Sequence, residues 1–254
     1  MNLRKALLMS NLVITALATA ADKDARVFEL RTYSAHPGKL DGLNARFRDH
    51  TVKLFEKHGI TNIGYWTPID NIERKLVYVV AFPSVEARQK SFAAFGADPA
   101  WQKARSESEA NGPLVAKIES QLMRVTPFSP ELKPLTAGER VYELRTYTAA
   151  PNCLEQLNAR FADHTIKLFE KHGMANLVYW NLLKEQKDAD KMLLYLLAHK
   201  SVEAARASFG AFRQDSAWLA ARKASEDKAG GSLTVADGGV KSVFMKATDY
   251  SAIK

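Results

Sequence analysis

Residues 27–66 of this chain are written twice. Val27-Phe28-Glu29-Leu30-Arg31-Thr32-Tyr33 returns 114 positions later as Val141-Tyr142-Glu143-Leu144-Arg145-Thr146-Tyr147. Between 27–66 and 141–180, 27 of 40 positions are identical, a level that shared composition does not produce and that means duplication. Past a three-residue insertion near Lys184 to Asp190, Ser84-Val85-Glu86-Ala87 realigns with Ser201-Val202-Glu203-Ala204, and Trp101 falls on Trp218. The closing segments Met123-Arg124-Val125-Thr126 and Met245-Lys246-Ala247-Thr248 also correspond. Two similar units are therefore expected, over 26–128 and 140–254. Pro127 to Gly138 holds three prolines and a glycine, and 129–139 reads as the linker.

Each copy reads strand, helix, strand, strand, helix, strand. Val27 to Tyr33 alternates and is rich in aromatic and branched residues, as a strand requires. After Pro37-Gly38, the residues Leu40, Leu43, Phe47, Leu54 and Phe55 recur at helical spacing, and Gly59 stops that helix. Ile63 to Thr67 and the apolar run Leu76 to Phe82 are further strands. Ser84 can cap the next helix, Asp98-Pro99 can begin another, and Lys117 to Val125 supplies the last strand. The class is α+β, and the order is that of a ferredoxin-like split βαβ unit. One such unit covers only one face of its sheet. Two in one chain can close an intramolecular α+β barrel with helices outside, and its interior is the natural place for a pocket.

The first strand of each copy carries charge on one side only. Phe28, Leu30 and Thr32 share one face, while Glu29, Arg31 and Tyr33 share the other. If the apolar set packs under the helices, then Glu29, Arg31 and Tyr33 face the barrel interior and converge there with Glu143, Arg145 and Tyr147. Such a cavity could hold an anionic or aromatic small molecule; equally, the same residues could form a buried network that fixes how the halves dock. Tyr65-Trp66 and Tyr179-Trp180 read as pocket wall or core. His50 and His164 each follow a Phe by three residues and precede a Leu by four, which places the imidazole on the apolar helix face. There it is either a proton carrier or a core histidine bonded to a carbonyl. His58 and His172 sit in the last helical turn, where the dipole favours them. His36 has no twin.

Composition narrows the functions. The chain has 254 residues with 36 Lys+Arg against 28 Asp+Glu, and the cations are interspersed with acids rather than gathered in a run. That pattern is a solvated mixed-charge surface, not a polyanion site. The third strand loosely echoes an RNA-recognition signature but lacks its glycine and two stacking aromatics, so nucleic acid is not the expected partner. No HExxH, CxxC, GxSxG or phosphate-binding glycine loop is present, and no metal is expected. Arg4 and Lys5, a mostly apolar Ala6 to Leu17 and then Ala18-Thr19-Ala20 resemble a signal cleaved after Ala20, too short for a comfortable membrane span. The expected location is the periplasm or outside the cell, with the mitochondrion as the alternative. Cys153 is the only cysteine, so no internal disulfide can form.

Phe-Glu-Leu-Arg-Thr-Tyr, then Pro37-Gly38-Lys39-Leu40, Arg46-Phe47, His50, Lys57-His58-Gly59 and Gly64-Tyr65-Trp66 together resemble the NIPSNAP family, over essentially the whole mature chain and twice. The resemblance implies a dimeric α+β barrel and no particular reaction. The second copy departs from it, with Pro151-Asn152-Cys153 for Pro37-Gly38-Lys39 and Val178 for Gly64. Three functions follow as expectations. The first is an exported protein binding a small anionic or aromatic molecule in or near the barrel. The second is an enzyme of the barrel monooxygenase or isomerase kind, with His50 or His164 as proton carrier; no cofactor is expected, haem being the variant. The third is a structural or interaction protein. A homo-oligomer is compatible with each.

Overall fold

The structure, a computed structural model, describes residues 24–133 and 139–254. The expected signal and the middle of the expected linker lie outside those residues. The first half contributes β1 (Val27–Ala35), β2 (Thr61–Pro68), β3 (Lys75–Phe82) and β4 (Val115–Val125). The second contributes β5 (Val141–Thr148), β6 (Ala175–Leu182), β7 (Met192–His199) and β8 (Val240–Ala247). All eight join in one closed antiparallel barrel in the order β1-β3-β2-β8-β5-β7-β6-β4. The halves meet along two seams, where Trp66–Pro68 of β2 pairs with β8 and Met123–Val125 of β4 pairs with β6.

Helices cover the outside. The first half has α1 (Leu40–Arg46), α2 (Val52–Lys57), α3 (Val85–Ala97) and α4 (Pro99–Ser108); the second has α5 (Leu154–Arg160), α6 (Ile166–Lys171), α7 (Val202–Gln214) and α8 (Ser216–Ala229). None of these is long and apolar enough to cross a membrane. Their starts are set by side chains. Ser84 Oγ accepts from the Ala87 amide at 3.1 Å and Asp98 Oδ1 from Ala100 at 2.8 Å, and Ser201 and Asp215 repeat both caps. In the Pro37-Gly38 turn Gly38 has φ 71°; its replacement Asn152 holds φ 61°, which asparagine tolerates, so the exchange keeps the turn.

Between α1 and α2, and between α5 and α6, one turn is a π-helix, Phe47–Thr51 and Phe161–Thr165. The wider turn adds a residue and shifts the helical phase. Phe47 and Thr51 are buried as a result, and the Thr51 hydroxyl donates to the Arg46 carbonyl at 3.1 Å. His50 is thereby turned to the exposed side, and His164 likewise. The expectation that both imidazoles sit on the apolar face is corrected: the regular 3.6-residue period on which it rested is interrupted just there.

Three apolar layers hold the molecule. The barrel interior is packed with residues of both halves, among them Phe28, Leu30, Trp66, Tyr142, Trp180 and Met245. Each half then has its own layer between sheet and helices, built around Phe47, Phe55, Tyr65 and Tyr78 in the first and Phe161, Phe169, Tyr179 and Tyr195 in the second. β3 is buried on both faces, which is why its sequence is a continuous apolar run rather than an alternation. The tails interlock the halves. Ser251 Oγ accepts from the Tyr65 amide (2.9 Å) and Tyr250 bonds Asn44, while Ser129 Oγ accepts from the Tyr179 amide (3.0 Å). Each half's closing segment thus covers the other half.

The faces of β1 and β5 are the reverse of the expected ones. Phe28 and Leu30 point into the barrel, and Glu29, Arg31 and Tyr33 point under the helices. The inside of a closed barrel offers a charged group no helix-borne partner, whereas the outer face offers α3. The two Glu–Arg pairs therefore do not converge on an axis; each belongs to its own helical layer.

Candidate functional site

Wholly buried Glu29 organises the outer face of the first half. Arg88, on α3, grips its carboxylate with two hydrogen bonds of 2.6 and 2.7 Å; Arg31 Nη1 donates at 2.6 Å and Ser120 Oγ of β4 at 2.6 Å. Burial by itself would raise the Glu29 pKa, but Arg88, Arg31 and Ser120 outweigh it and hold the group below the usual carboxylate range. Arg31 is pulled down by burial and raised further by Tyr78, Tyr33 and Glu29, with a net upward shift, so it is always charged. Its guanidinium lies 5.0 Å over the Phe92 ring and 5.5 Å over Tyr33. One carboxylate facing two guanidiniums leaves this cluster with a surplus positive charge.

Arg31 and Tyr33 form part of the wall of a cavity of about 520 Å³ between sheet and helices. Aromatic rings, including Phe47, Phe92, Phe95 and Trp101, supply much of the rest. Arg46 is buried there, 5.2 Å over Trp101 and bonded to Glu109 at 2.8 Å. Arg105, bonded to Glu109 at 3.2 Å, and Lys117, bonded to Glu119 at 2.8 Å, complete the cations at the wall, and Glu109 is its one carboxylate among the described residues. The Nε–H groups of Arg31 and Arg46 and the Tyr78 hydroxyl are buried and have no hydrogen-bond partner among the described residues. Buried donors left in that state cost free energy that a bound acceptor could recover.

The second half repeats the frame with different partners. Glu143 is held by Arg145 at 2.5 Å, Ser242 at 2.5 Å and His199 Nε2 at 2.9 Å. Burial pushes its pKa up and His199, Arg145 and Ser242 bring it below the ordinary range. Arg145 Nε donates to the Tyr195 hydroxyl at 2.9 Å, the bond that Arg31 and Tyr78 do not make, and its guanidinium is 4.4 Å over Phe209.

The expected site residues fall into separate groups. Glu29, Arg31 and Tyr33 come together, as do Glu143, Arg145 and Tyr147, in different halves. Tyr65 and Tyr179 lie in the helical layers, stacked on Tyr78 and Tyr195. Trp66 and Trp180 are inside the barrel, against Tyr142 and Phe28 at 5.7 and 5.9 Å. His50 does not line the first-half cavity; His164 borders a separate recess of about 450 Å³ with Arg160 and Lys228. A further recess of about 470 Å³ at one mouth of the barrel is lined from both halves by Thr32, Val77, Leu144 and Val243. Sequence reasoning passed over Arg88, Ser120, His199 and Ser242. The signal for two of them was in the repeat: Arg88 aligns with Ala205 and His199 with Phe82, exchanges that a search for identities skips. It also missed that His58 and His172 bond Asp98 and Asp215 at 2.7 and 2.8 Å, each beside a lysine.

Comparison with known proteins gives the same architecture. The NIPSNAP family model matches residues 28–130 and again 142–232. A candidate monooxygenase of Fusobacterium nucleatum superposes over 91% of this chain and 99% of its own, with a TM-score of 0.58 and 10% identity. An anthrone oxidase-like protein covers 92% and 96%, at 0.56 and 13%. A NIPSNAP-like domain protein of Burkholderia xenovorans aligns over 44% of this chain and 96% of its own, at 21% identity and a TM-score of 0.38. No curated protein matches the sequence. At such identities the full-length likenesses speak for the fold alone.

Proposed function

The chain belongs to the NIPSNAP family, and we propose that it is an exported binding protein for a small organic carboxylate with an aromatic or apolar body, held in the first-half cavity. Each half is, in this reading, a ferredoxin-like unit, and residues 1–20 are the export signal. The observation that carries the reading is the wall itself: Arg31, Arg46, Arg105 and Lys117 stand among aromatic rings around about 520 Å³. With Arg88 they outnumber the carboxylates that bond them, Glu29, Glu109 and Glu119, by five to three. A guanidinium pairs with a carboxylate in a planar, bidentate way, and rings beside it accept the apolar remainder. Arg46, buried with an unpartnered Nε–H, is the anchor, and Arg105 stands at the more exposed edge.

Thermal unfolding with phenylpropionate and with phenylpropionamide tests this. The acid is expected to raise the midpoint and the amide, of nearly the same shape, to leave it unchanged. Arg105→Gln, which changes a largely exposed side chain, is expected to weaken the acid's effect without unfolding the protein. Equal stabilisation by acid and amide, or none by either, sinks the reading.

A further inference from the structure

A second cluster of cations, remote from Glu29, lies where β5, β8 and the C-terminal tail meet. The recess there has a volume of about 720 Å³. Arg140, Lys200, Lys246 and Lys254 line it, opposed by Glu139 and Asp249. Asp249 is engaged by Arg48 through bonds of 2.6 and 2.9 Å, and Lys254 Nζ donates to the Asp249 carbonyl at 2.5 Å. Arg140, Lys200 and Lys246 make no salt bridge among the described residues. Two hydroxyls share the wall. Tyr142 is wholly buried, and neither its phenol nor the Thr248 Oγ1 has a hydrogen-bond partner among the described residues.

The duplication shows that this is not a by-product of the fold. The residues aligned with Tyr142 and Lys200 are Phe28 and Pro83, so the first copy has neither the phenol nor that ammonium. Arg26, the counterpart of Arg140, is tied to Asp24 at 2.6 Å. The Thr248 hydroxyl has a twin in Thr126, likewise buried and unpartnered among the described residues, so what the second copy adds is the Tyr142 phenol and the ammonium of Lys200.

We propose that this recess is an anion site for a phosphate monoester carrying an apolar body. Three ammonium groups on flexible stems and a guanidinium line the recess, and two unpartnered hydroxyls are buried in its wall. That set suits a tetrahedral dianion with several acceptor oxygens better than a planar carboxylate, which favours a guanidinium fork. The volume exceeds what a bare phosphate fills, and Val141, Ala247 and the Tyr142 ring supply apolar wall for the rest. The site is independent of the first-half cavity, and either can fail without the other.

Isothermal titration of the purified protein with phenyl phosphate and with inorganic phosphate tests the proposal. Phenyl phosphate is expected to bind more tightly than inorganic phosphate. The pair Lys200→Gln and Lys246→Gln, both exposed positions that leave folding intact, is expected to weaken it roughly tenfold or more. Tyr142→Phe, the residue type of the first copy, is expected to weaken it several-fold. Arg105→Gln, in the other cavity, is expected to leave it unchanged. Binding that is indifferent to the lysine pair, binding lost only with Arg105→Gln, equal affinity for inorganic phosphate, or no binding at all each overturns it.

Discussion

The two halves hold the same buried carboxylate with different cations. In the first, Arg88 reaches Glu29 from α3; in the second, that helix position is Ala205 and the partner is His199, at the end of β7 where the first half has Phe82. What both copies keep is a satisfied acid beneath the helices, joined to its own strand's arginine and a serine from the neighbouring strand. The source of the remaining donor is free to change. The consequence is electrostatic: an arginine is always charged, whereas a histidine can fill the same role without a charge. The first site therefore carries surplus positive charge, and its Arg31 Nε and Tyr78 hydroxyl are unpartnered among the described residues, while in the second Arg145 and Tyr195 bond each other. The Nε of Arg46 and of its twin Arg160 are unpartnered alike among those residues. A duplicated fold can keep one copy as frame and let the other bind.

The largest test of this difference is removal of the acid. Glu29→Ala leaves the half-buried Arg31 and Arg88 side by side with no counter-charge. Breaking a fully buried pair costs about 3–5 kcal/mol, and the loss here is expected towards the lower end of that range. Glu143→Ala takes the acid from one guanidinium rather than two, so its cost is expected to be clearly smaller. Urea unfolding of the two variants decides the matter. Equal losses would mean that the surplus charge at Glu29 has no energetic reality.

Gly64 and Val178 give a second contrast, of middle size. A Cβ on Gly64 would lie 2.3 Å from the Trp66 ring, which overlies this position; the second copy carries Val178 there with Trp180 two residues on. Both strands have an irregularity in register at this point. Gly64→Val is expected to cost roughly 1–3 kcal/mol, as overpacking of a filled core does. Unchanged stability would show that the Trp66 indole can move aside within the barrel.

How far the sequence carried depends on what kind of signal each feature leaves. The strands, caps and repeat boundaries follow from local patterns: Ser84 and Asp98 cap the helices they were expected to cap, and Leu76 to Phe82 is the doubly buried strand. The closed barrel followed from counting uncovered sheet faces. The face assignment of β1 did not follow, because alternation says that Glu29 and Phe28 lie on opposite sides without saying which side the helices take. His50 was misplaced because a π turn leaves no clear mark in apolar spacing. Arg88 could not be placed at Glu29 from the sequence, since 59 residues separate them and only the packed α3 brings them together.

The smallest expected effect concerns a feature on which the halves agree. Asp98 is bonded by Lys57 and His58, and Asp215 by Lys171 and His172, with distances of 2.6–2.8 Å throughout. In each case the lysine, then the histidine, lowers the carboxylate pKa below the ordinary range. A group whose pKa is lower folded than unfolded adds stability that is fully present above its unfolded value. That stability is lost as the pH falls towards the folded one. The contribution should therefore decline below about pH 4, the ordinary aspartate value. Asp98→Asn and Asp215→Asn keep an oxygen for the helix cap and remove the charge. Each is expected to be slightly less stable than the parent at neutral pH and to approach it on acidification. Because the two trios match, the two variants should trace the same curve of thermal midpoint against pH. Divergence between them would mean that the asymmetry of the halves extends beyond the Glu29 and Glu143 clusters to the helix ends.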